Sequence, residues 1–156
     1  MRRVSVIGSL LKKIYRMYNT SLLESLEIKG FSDLRPSFLE VLLFICENEG
    51  ASIKSIGHAV GLKKQTMTSH LNELEKRGYT TREHNEEDRR AQKITLTEYG
   101  EKFKLKLLES IRELEEEYVE LVGEVELERI ELQLGNFYEK LNLKSRERNS
   151  PLFKDL

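Results

Sequence analysis

The segment IGHAVGLKKQTMTSHL, residues 56–71, decides the fold of this chain. It fits two short helices joined by a tight turn. Gly57 leaves room for two helix backbones to cross, and Gly61 can adopt the positive φ that such a turn requires. The apolar residues are spaced to face one shared core: Ile56, Val60, Leu62, Met67 and Leu71. The segment therefore predicts a helix-turn-helix.

The second of these helices is predicted to expose polar and basic side chains, namely Lys63, Lys64, Gln65, Thr66, Ser69 and Asn72. Side chains of these types bind phosphates and base edges. Two lysines at a helix N-terminus are unfavourable in isolation, but they suit a phosphate bound there. Solvated surface lysines are the alternative. Six residues are our candidate DNA contacts: Lys63, Lys64, Gln65, Thr66, Thr68 and Ser69.

Hydrophobic periodicity, caps and glycines place further elements around this motif. Gly50, Gly78 and Gly123 are expected to end the second, fourth and fifth helices, while Pro36, Ser52 and Thr97 are suited to helix starts. The predicted elements are helices near 4–28, 36–50, 53–60, 63–77, 98–122 and 124–141, with a β-hairpin formed by TTREHN and KITLT. The fold class is thus mainly α with a small β-wing.

The last two predicted helices carry apolar residues at spacings of three and four, as in a coiled-coil seam. These residues are Phe103, Leu107, Ile111, Leu114, Tyr118 and Leu121, followed by Leu127, Ile130, Leu134, Phe137 and Leu141. One small winged lobe (31–97) cannot cover this surface. We therefore predict a single domain whose helices at 1–30 and 98–141 form a homodimer, followed by a polar tail at 142–156.

The loop of the hairpin, residues 86–92, is also a candidate for nucleic-acid contact. Arg89 and Arg90 can enter a minor groove, and Asp88 can hold an arginine through a charge-assisted hydrogen bond. The alternative is a solvated charged turn, which Glu86 and Glu87 favour because they repel phosphate.

Charge is distributed unevenly, although the net charge of the 156 residues is −1. Residues 54–93 carry 9 basic and 6 acidic side chains (net +3), whereas residues 98–141 carry 6 and 13 (net −7). Such asymmetry is typical of a nucleic-acid-binding face beside a solvated scaffold. The chain lacks a long apolar run and a leader-like start, so a cytoplasmic protein with no membrane association is expected.

Two segments together resemble the MarR family of regulators. DRRAQKITLTEYG (88–100) is similar to its wing signature, and VGLKKQTMTSHLNELEKRGY (60–79) to its recognition helix. The resemblance is strongest over 31–100. It implies a triangular homodimer whose two winged lobes bind a pseudo-palindromic DNA site, with Arg90 as the wing arginine supported by Asp88. One departure is Lys63, where the family often has Ser.

The resemblance further implies a cleft for a small aromatic anion between the winged lobe and the dimer helices. Lys12, Tyr15 and Arg16 on the first helix are our candidates for binding this effector. The alternative is that Tyr15 belongs to the interface core and that the charges are solvated.

We therefore predict a sequence-specific DNA-binding transcription repressor, which is not an enzyme and uses no cofactor. The chain has no phosphate-binding loop, nucleophile elbow or zinc-protease motif, and Cys46 lies in an apolar run typical of a buried thiol. Two alternatives stay open. One is a metal-responsive regulator using His58, His70 and His84, although their spacings of 12 and 14 give no local ligand cluster. The other is a protein-binding module that does not bind DNA.

Overall fold

The computed structural model describes residues 2–84, 86–87 and 92–148, and in these ranges it contains six helices and one small sheet. The elements are α1 (Arg3–Ile28), α2 (Pro36–Glu47), β1 (Ala51–Ser52), α3 (Ile53–Val60), α4 (Lys64–Lys76), β2 (Thr80–His84), β3 (Gln92–Leu96), α5 (Glu98–Val122) and α6 (Glu124–Arg148). The antiparallel sheet has the order β1-β3-β2. The predicted winged-helix fold class is confirmed.

Local signals set most helix ends as predicted. Pro36 occupies the first turn of α2, and the Ser52 hydroxyl accepts a hydrogen bond from the Ser55 amide (3.1 Å) at the start of α3. The Thr97 hydroxyl accepts one from the Gly100 amide (3.0 Å) at the start of α5. Gly123 has a φ of 86° and separates α5 from α6.

The core of the winged lobe is built around α2, which has buried apolar side chains on most of its faces. Its fully buried side chains include Phe38, Leu39, Val41, Leu42 and Ile45 from α2, and Ile56, Met67, Leu71, Leu74 and Ile94 from the elements around it. Cys46 is buried in the same helix, as the apolar run predicts. Burial raises the pKa of its thiol to about 11, so the thiol is protonated at neutral pH.

Aromatic rings join the start of α5 to the loop after α1. The centroid of Phe31 lies 5.4 Å from that of Tyr99 and 5.3 Å from that of Phe103, and Tyr79 packs 5.3 Å from Phe103. The Tyr79 hydroxyl donates a 2.6 Å hydrogen bond to Asp33 Oδ1. Burial and this carboxylate raise the pKa of Tyr79 above its usual range, so the tyrosine stays neutral.

The structure adds to or differs from the sequence-based elements in three places. The second helix ends at Glu47 rather than Gly50, because the backbone of Asn48 leaves the helical conformation (φ −134°, ψ 69°). The strand β1 was not predicted, since its two residues are defined by pairing with Ile94 and Lys93 of β3. The helix α6 continues to Arg148, through residues 142–148 of the predicted tail, a stretch that contains no glycine or proline. The remaining predicted tail, 149–156, lies outside the described residues.

The chain divides into two compact units between Arg112 and Glu113, within α5. The reason lies in how α5 is used. Phe103 and Leu107 are fully buried and Leu114 is 7% exposed, whereas Leu121 is 72% exposed. The predicted seam is thus buried only in its first half. No helix in the described ranges is both long and apolar enough to cross a lipid bilayer.

Candidate nucleic-acid interface

The turn between α3 and α4 has the geometry that its glycines predict. Gly61 adopts the left-handed conformation, with φ 70° and ψ 24°. At Gly57, a Cβ atom would lie 3.0 Å from Met67 Cγ and 3.3 Å from the Leu62 carbonyl oxygen. Gly57 therefore permits the close crossing of the two helices, and the crossing fixes the direction in which α4 leaves the lobe.

The N-terminus of α4 is basic and lacks a side-chain cap. Lys63 occupies the N-cap position without a capping hydrogen bond, and the first turn contains no acidic residue. The first amides of a helix have no intrahelical acceptor and carry a partial positive charge. Together with the exposed Lys63 and Lys64, they make this end of α4 suited to an anionic group such as a phosphate.

The face of α4 away from the core is polar and exposed. All six predicted surface residues are exposed: Lys63, Lys64, Gln65, Thr66, Ser69 and Asn72. A shallow groove of about 640 Å³ follows this face and is lined by Lys64, Gln65, Thr68, Ser69, Asn72 and Glu73. The candidate contacts on the helix are therefore brought together on one surface.

Thr68 is less available for contact with DNA than the other candidates on α4. It is half-buried, and its hydroxyl donates a 2.9 Å hydrogen bond to the Lys64 carbonyl oxygen. The hydroxyl can still accept a hydrogen bond, but its donor is used within the helix.

A larger cavity of about 870 Å³ lies on the other side of the α4 N-terminus, between α3, α4 and the start of β3. Apolar side chains of Ile53, Leu62 and Met67 line it, together with the cationic Lys54 and Lys63. No sequence pattern indicates this cavity, because it depends on how β3 packs beside the two helices.

The structure also identifies Arg82, on β2, as a residue that the sequence analysis missed. Its Nη2 donates a hydrogen bond to Asn72 Oδ1 on α4, and its Nε lies 3.3 Å from Glu75 Oε2, within ion-pair distance but not aligned for a hydrogen bond. Strand alternation could have indicated it. Arg82 is two residues after the buried Thr80, so the two side chains lie on the same side of β2.

The remaining wing candidates, Asp88, Arg89 and Arg90, lie outside the described residues. The strands on either side are described and pair from Thr80 with Leu96 to His84 with Gln92. The described part of the loop contains Glu86 and Glu87, both exposed.

The three histidines lie in different surroundings. His58 and His84 are exposed, whereas His70 packs edge-on against Phe38 with centroids 5.1 Å apart. Within the described residues, no three His, Cys, Asp or Glu side chains come together as a metal site.

The effector candidates Lys12, Tyr15 and Arg16 share one face of α1 and are exposed. The Tyr15 ring stacks on that of Tyr18, with centroids 6.3 Å apart. Neither the groove along α4 nor the larger cavity beside its N-terminus includes these three residues.

Comparison with known proteins supports the same architecture. Residues 34–91 match the model of the MarR family. Over 68 residues the chain is 43% identical to the HTH-type transcriptional regulator SarZ of Staphylococcus haemolyticus, an alignment that covers 44% of this chain and 46% of SarZ. The chain thus matches about half the length of such relatives. The relatives matched over this segment are transcription regulators.

Solved structures extend the likeness to most of the chain. A MarR transcriptional regulator from Methanosarcina mazei Go1 has a TM-score of 0.76 at 22% identity and covers 90% of this chain and 98% of its own. Streptococcus pneumoniae FabT, in complex with DNA, has a TM-score of 0.72 at 23% identity, with coverages of 89% and 97%. At such identities the likeness concerns the fold. The sequence match to the MarR family lies in the winged lobe, and the likeness in fold to MarR-type regulators extends over most of the chain.

Proposed function

We propose that this chain is a sequence-specific DNA-binding transcription regulator in which α4 enters the major groove. The observation that carries the proposal is the surface of α4, where polar side chains line an open groove beside a basic, uncapped helix N-terminus. Gln65, Thr66 and Ser69 would contact base edges, while Lys63 and Lys64 would contact phosphates. The DNA complex of the structurally similar FabT supports this use of the fold.

The active form would be a homodimer. Within the first unit, α1 exposes the apolar residues Val4, Leu10, Ile14 and Met17, the last being 68% exposed. Within the second unit, α6 exposes Leu132, Leu134, Phe137, Tyr138 and Leu141. Burying each such side chain contributes about 1.5–3 kcal/mol. A second copy is the occupant we propose, because a twofold dimer would also place two copies of α4 about 34 Å apart, one turn of DNA.

The wing would supply a second contact through Arg89 and Arg90. An arginine in a narrow minor groove responds to the groove's negative potential, and Asp88 would hold Arg90 in place. Replacing Arg90 with Ala should reduce affinity most where the wing meets A·T-rich sequence. Asp88→Ala should give a weaker form of the same defect. An Asp88→Ala protein that binds DNA more tightly would instead mean that the acid only repels phosphate.

A small aromatic anion would act as the effector, with its carboxylate paired to Lys12 or Arg16 and its ring against Tyr15. The support is the exposed basic and aromatic face that these residues form on α1. Binding would release DNA and relieve repression only as far as the anion prefers the conformation that does not bind DNA. If salicylate-like anions release DNA equally well from the parent, Arg16→Ala and Tyr15→Ala proteins, this site is misplaced.

The test of the proposed function is selection of bound duplexes from genomic fragments of the source organism, followed by mobility shifts. We expect a pseudo-palindromic sequence that is bound far more tightly than its scrambled control. Binding that requires added zinc would favour the metal-responsive alternative. Failure to enrich any sequence, with the protein folded, would overturn the proposal and favour a module that binds protein.

A further inference from the structure

Arg82 connects the wing to the exposed face of α4. Its Nη2 donates to Asn72 Oδ1, and its Nε lies 3.3 Å from Oε2 of Glu75, three residues further along α4. The Arg82 side chain is only 24% exposed, whereas Asn72 is exposed and lines the groove along α4. One strand residue therefore determines how a groove-lining amide is oriented.

The hydrogen bond between Arg82 and Asn72 can run in only one direction. A guanidinium only donates hydrogen bonds, so the end of the Asn72 amide that faces Arg82 must be its carbonyl oxygen. The amino group, which has two donors, is then the end left for a ligand in the groove. An asparagine that binds adenine through two hydrogen bonds needs both ends of its amide on the base. To make that pair, Asn72 would have to share Oδ1 between the adenine amino group and the cationic guanidinium of Arg82, whereas a donor-only contact leaves Oδ1 to Arg82 alone.

We propose that Asn72 contacts DNA as a donor only and that Arg82 is the positioning residue that restricts it to this role. The matching acceptors in the major groove are O6 and N7 of guanine, O4 of thymine and N7 of adenine, but guanine offers two adjacent acceptors whereas adenine places the N6 donor beside its single acceptor. Asn72 belongs to the same face as Gln65 and Ser69, at spacings of four and three, so it would meet base pairs along the same groove. The proposal rests on the proposed function, since it assigns a specificity to the same surface.

The test compares base preference, position by position, on the duplex that the parent protein selects. We expect the parent to favour guanine over adenine by about 5-fold at one position of each half-site, near the lower end of what one base contact provides. Asn72→Ala should remove that preference and leave the other positions unchanged. Asn72→Asp, which has no donor, should abolish it as well.

Replacement of Arg82 separates positioning from general stability. Arg82→Met removes the donors, so the amide can turn and adenine should become acceptable at the same position. Arg82→Lys keeps a donor and should restore the parent preference. Glu83→Met is the matched control, one residue along β2 and exposed, and should leave that position unchanged. Thermal unfolding confirms that each variant is folded.

Different experimental results would overturn the proposed function and the proposed role of Asn72 and Arg82. A parent protein that binds no duplex overturns both proposals. A parent that binds a specific site, with Asn72→Ala and Arg82→Met weakening binding equally for every sequence, overturns only this inference and makes Asn72 a phosphate contact. An unchanged base profile in both variants overturns it too.

Discussion

Gly100, in the first turn of α5, packs so closely against the backbone of Tyr79 that a Cβ atom at position 100 would overlap the Tyr79 carbonyl oxygen. The Thr97 amide donates a 3.1 Å hydrogen bond to that same oxygen. The start of α5 is thereby fixed to the residue that precedes β2. The glycine in the segment LTEYG is thus explained by a close backbone approach.

Replacing Gly100 with Ala should therefore destabilise the protein by about 1–3 kcal/mol, the range for adding a methyl group where there is no space. Chemical denaturation measures the change. Gly8→Ala is the control, because nothing lies within 4 Å of a Cβ atom built there and the residue is in the interior of α1. The control should be neutral or more stable by about 0.5–1 kcal/mol. Equal effects of the two changes would contradict this account of Gly100.

Lys64→Ala should weaken DNA binding to all sequences alike, because an interaction with phosphate carries no sequence information. The slope of log affinity against log salt should fall by about 0.9 for each phosphate that is no longer neutralised, and so by about 1.8 for the two chains of the proposed dimer. Fluorescence anisotropy at several salt concentrations measures both quantities. Lys76→Ala is the matched control at the opposite end of α4. If both variants change the slope equally, the N-terminus of α4 has no special role.

Gln65→Ala should change base preference at one position of each half-site, because Gln65 is exposed in the first turn of α4 and lines its groove. Removing one direct interaction with a base corresponds to about 1–3 kcal/mol of discrimination. Competition with singly substituted duplexes gives the profile. A uniform drop in affinity, with no change in profile, would mean that Gln65 does not contact a base.

Cys46 should make stability fall in alkaline solution. Burial raises the pKa of its thiol to about 11, while the unfolded thiol has a pKa of about 8.5. The folded chain therefore holds a proton that the unfolded chain has released between these values. The contribution to stability is complete below about pH 8.5 and is lost as pH rises toward 11, at up to about 1.4 kcal/mol per pH unit.

Chemical denaturation at pH values from about 8 to about 10.5 tests this loss of stability. In that interval the unfolded thiol ionises and the folded thiol does not. Cys46→Ala serves for comparison. The Ala variant is less stable throughout because it loses buried volume, so the slopes are compared and not the absolute values. The tyrosines and lysines titrate in both proteins, so their contributions cancel when the two slopes are compared. Parallel slopes would show that the thiol is not shielded from water.

The sequence predicted the parts of the structure that depend on neighbouring residues. The cap at Ser52, the left-handed turn at Gly61 and the exposed polar face of α4 all follow from local spacing. Two specific pairings between separate elements were not predicted. The pairing of Arg82 with Asn72 and the strand β1 each depend on how separate elements pack. The exposure of Leu121 shows the same limit, since periodicity identifies an apolar face but not what covers it.

The most direct test of the central claim is the stoichiometry and specificity of the protein on its selected duplex, measured by analytical ultracentrifugation. Our account predicts a complex with two 18.3 kDa chains on each pseudo-palindromic site, and no such complex on a duplex with both half-sites scrambled. A folded protein that sediments as a single chain, and binds selected and scrambled duplexes equally, would contradict the account.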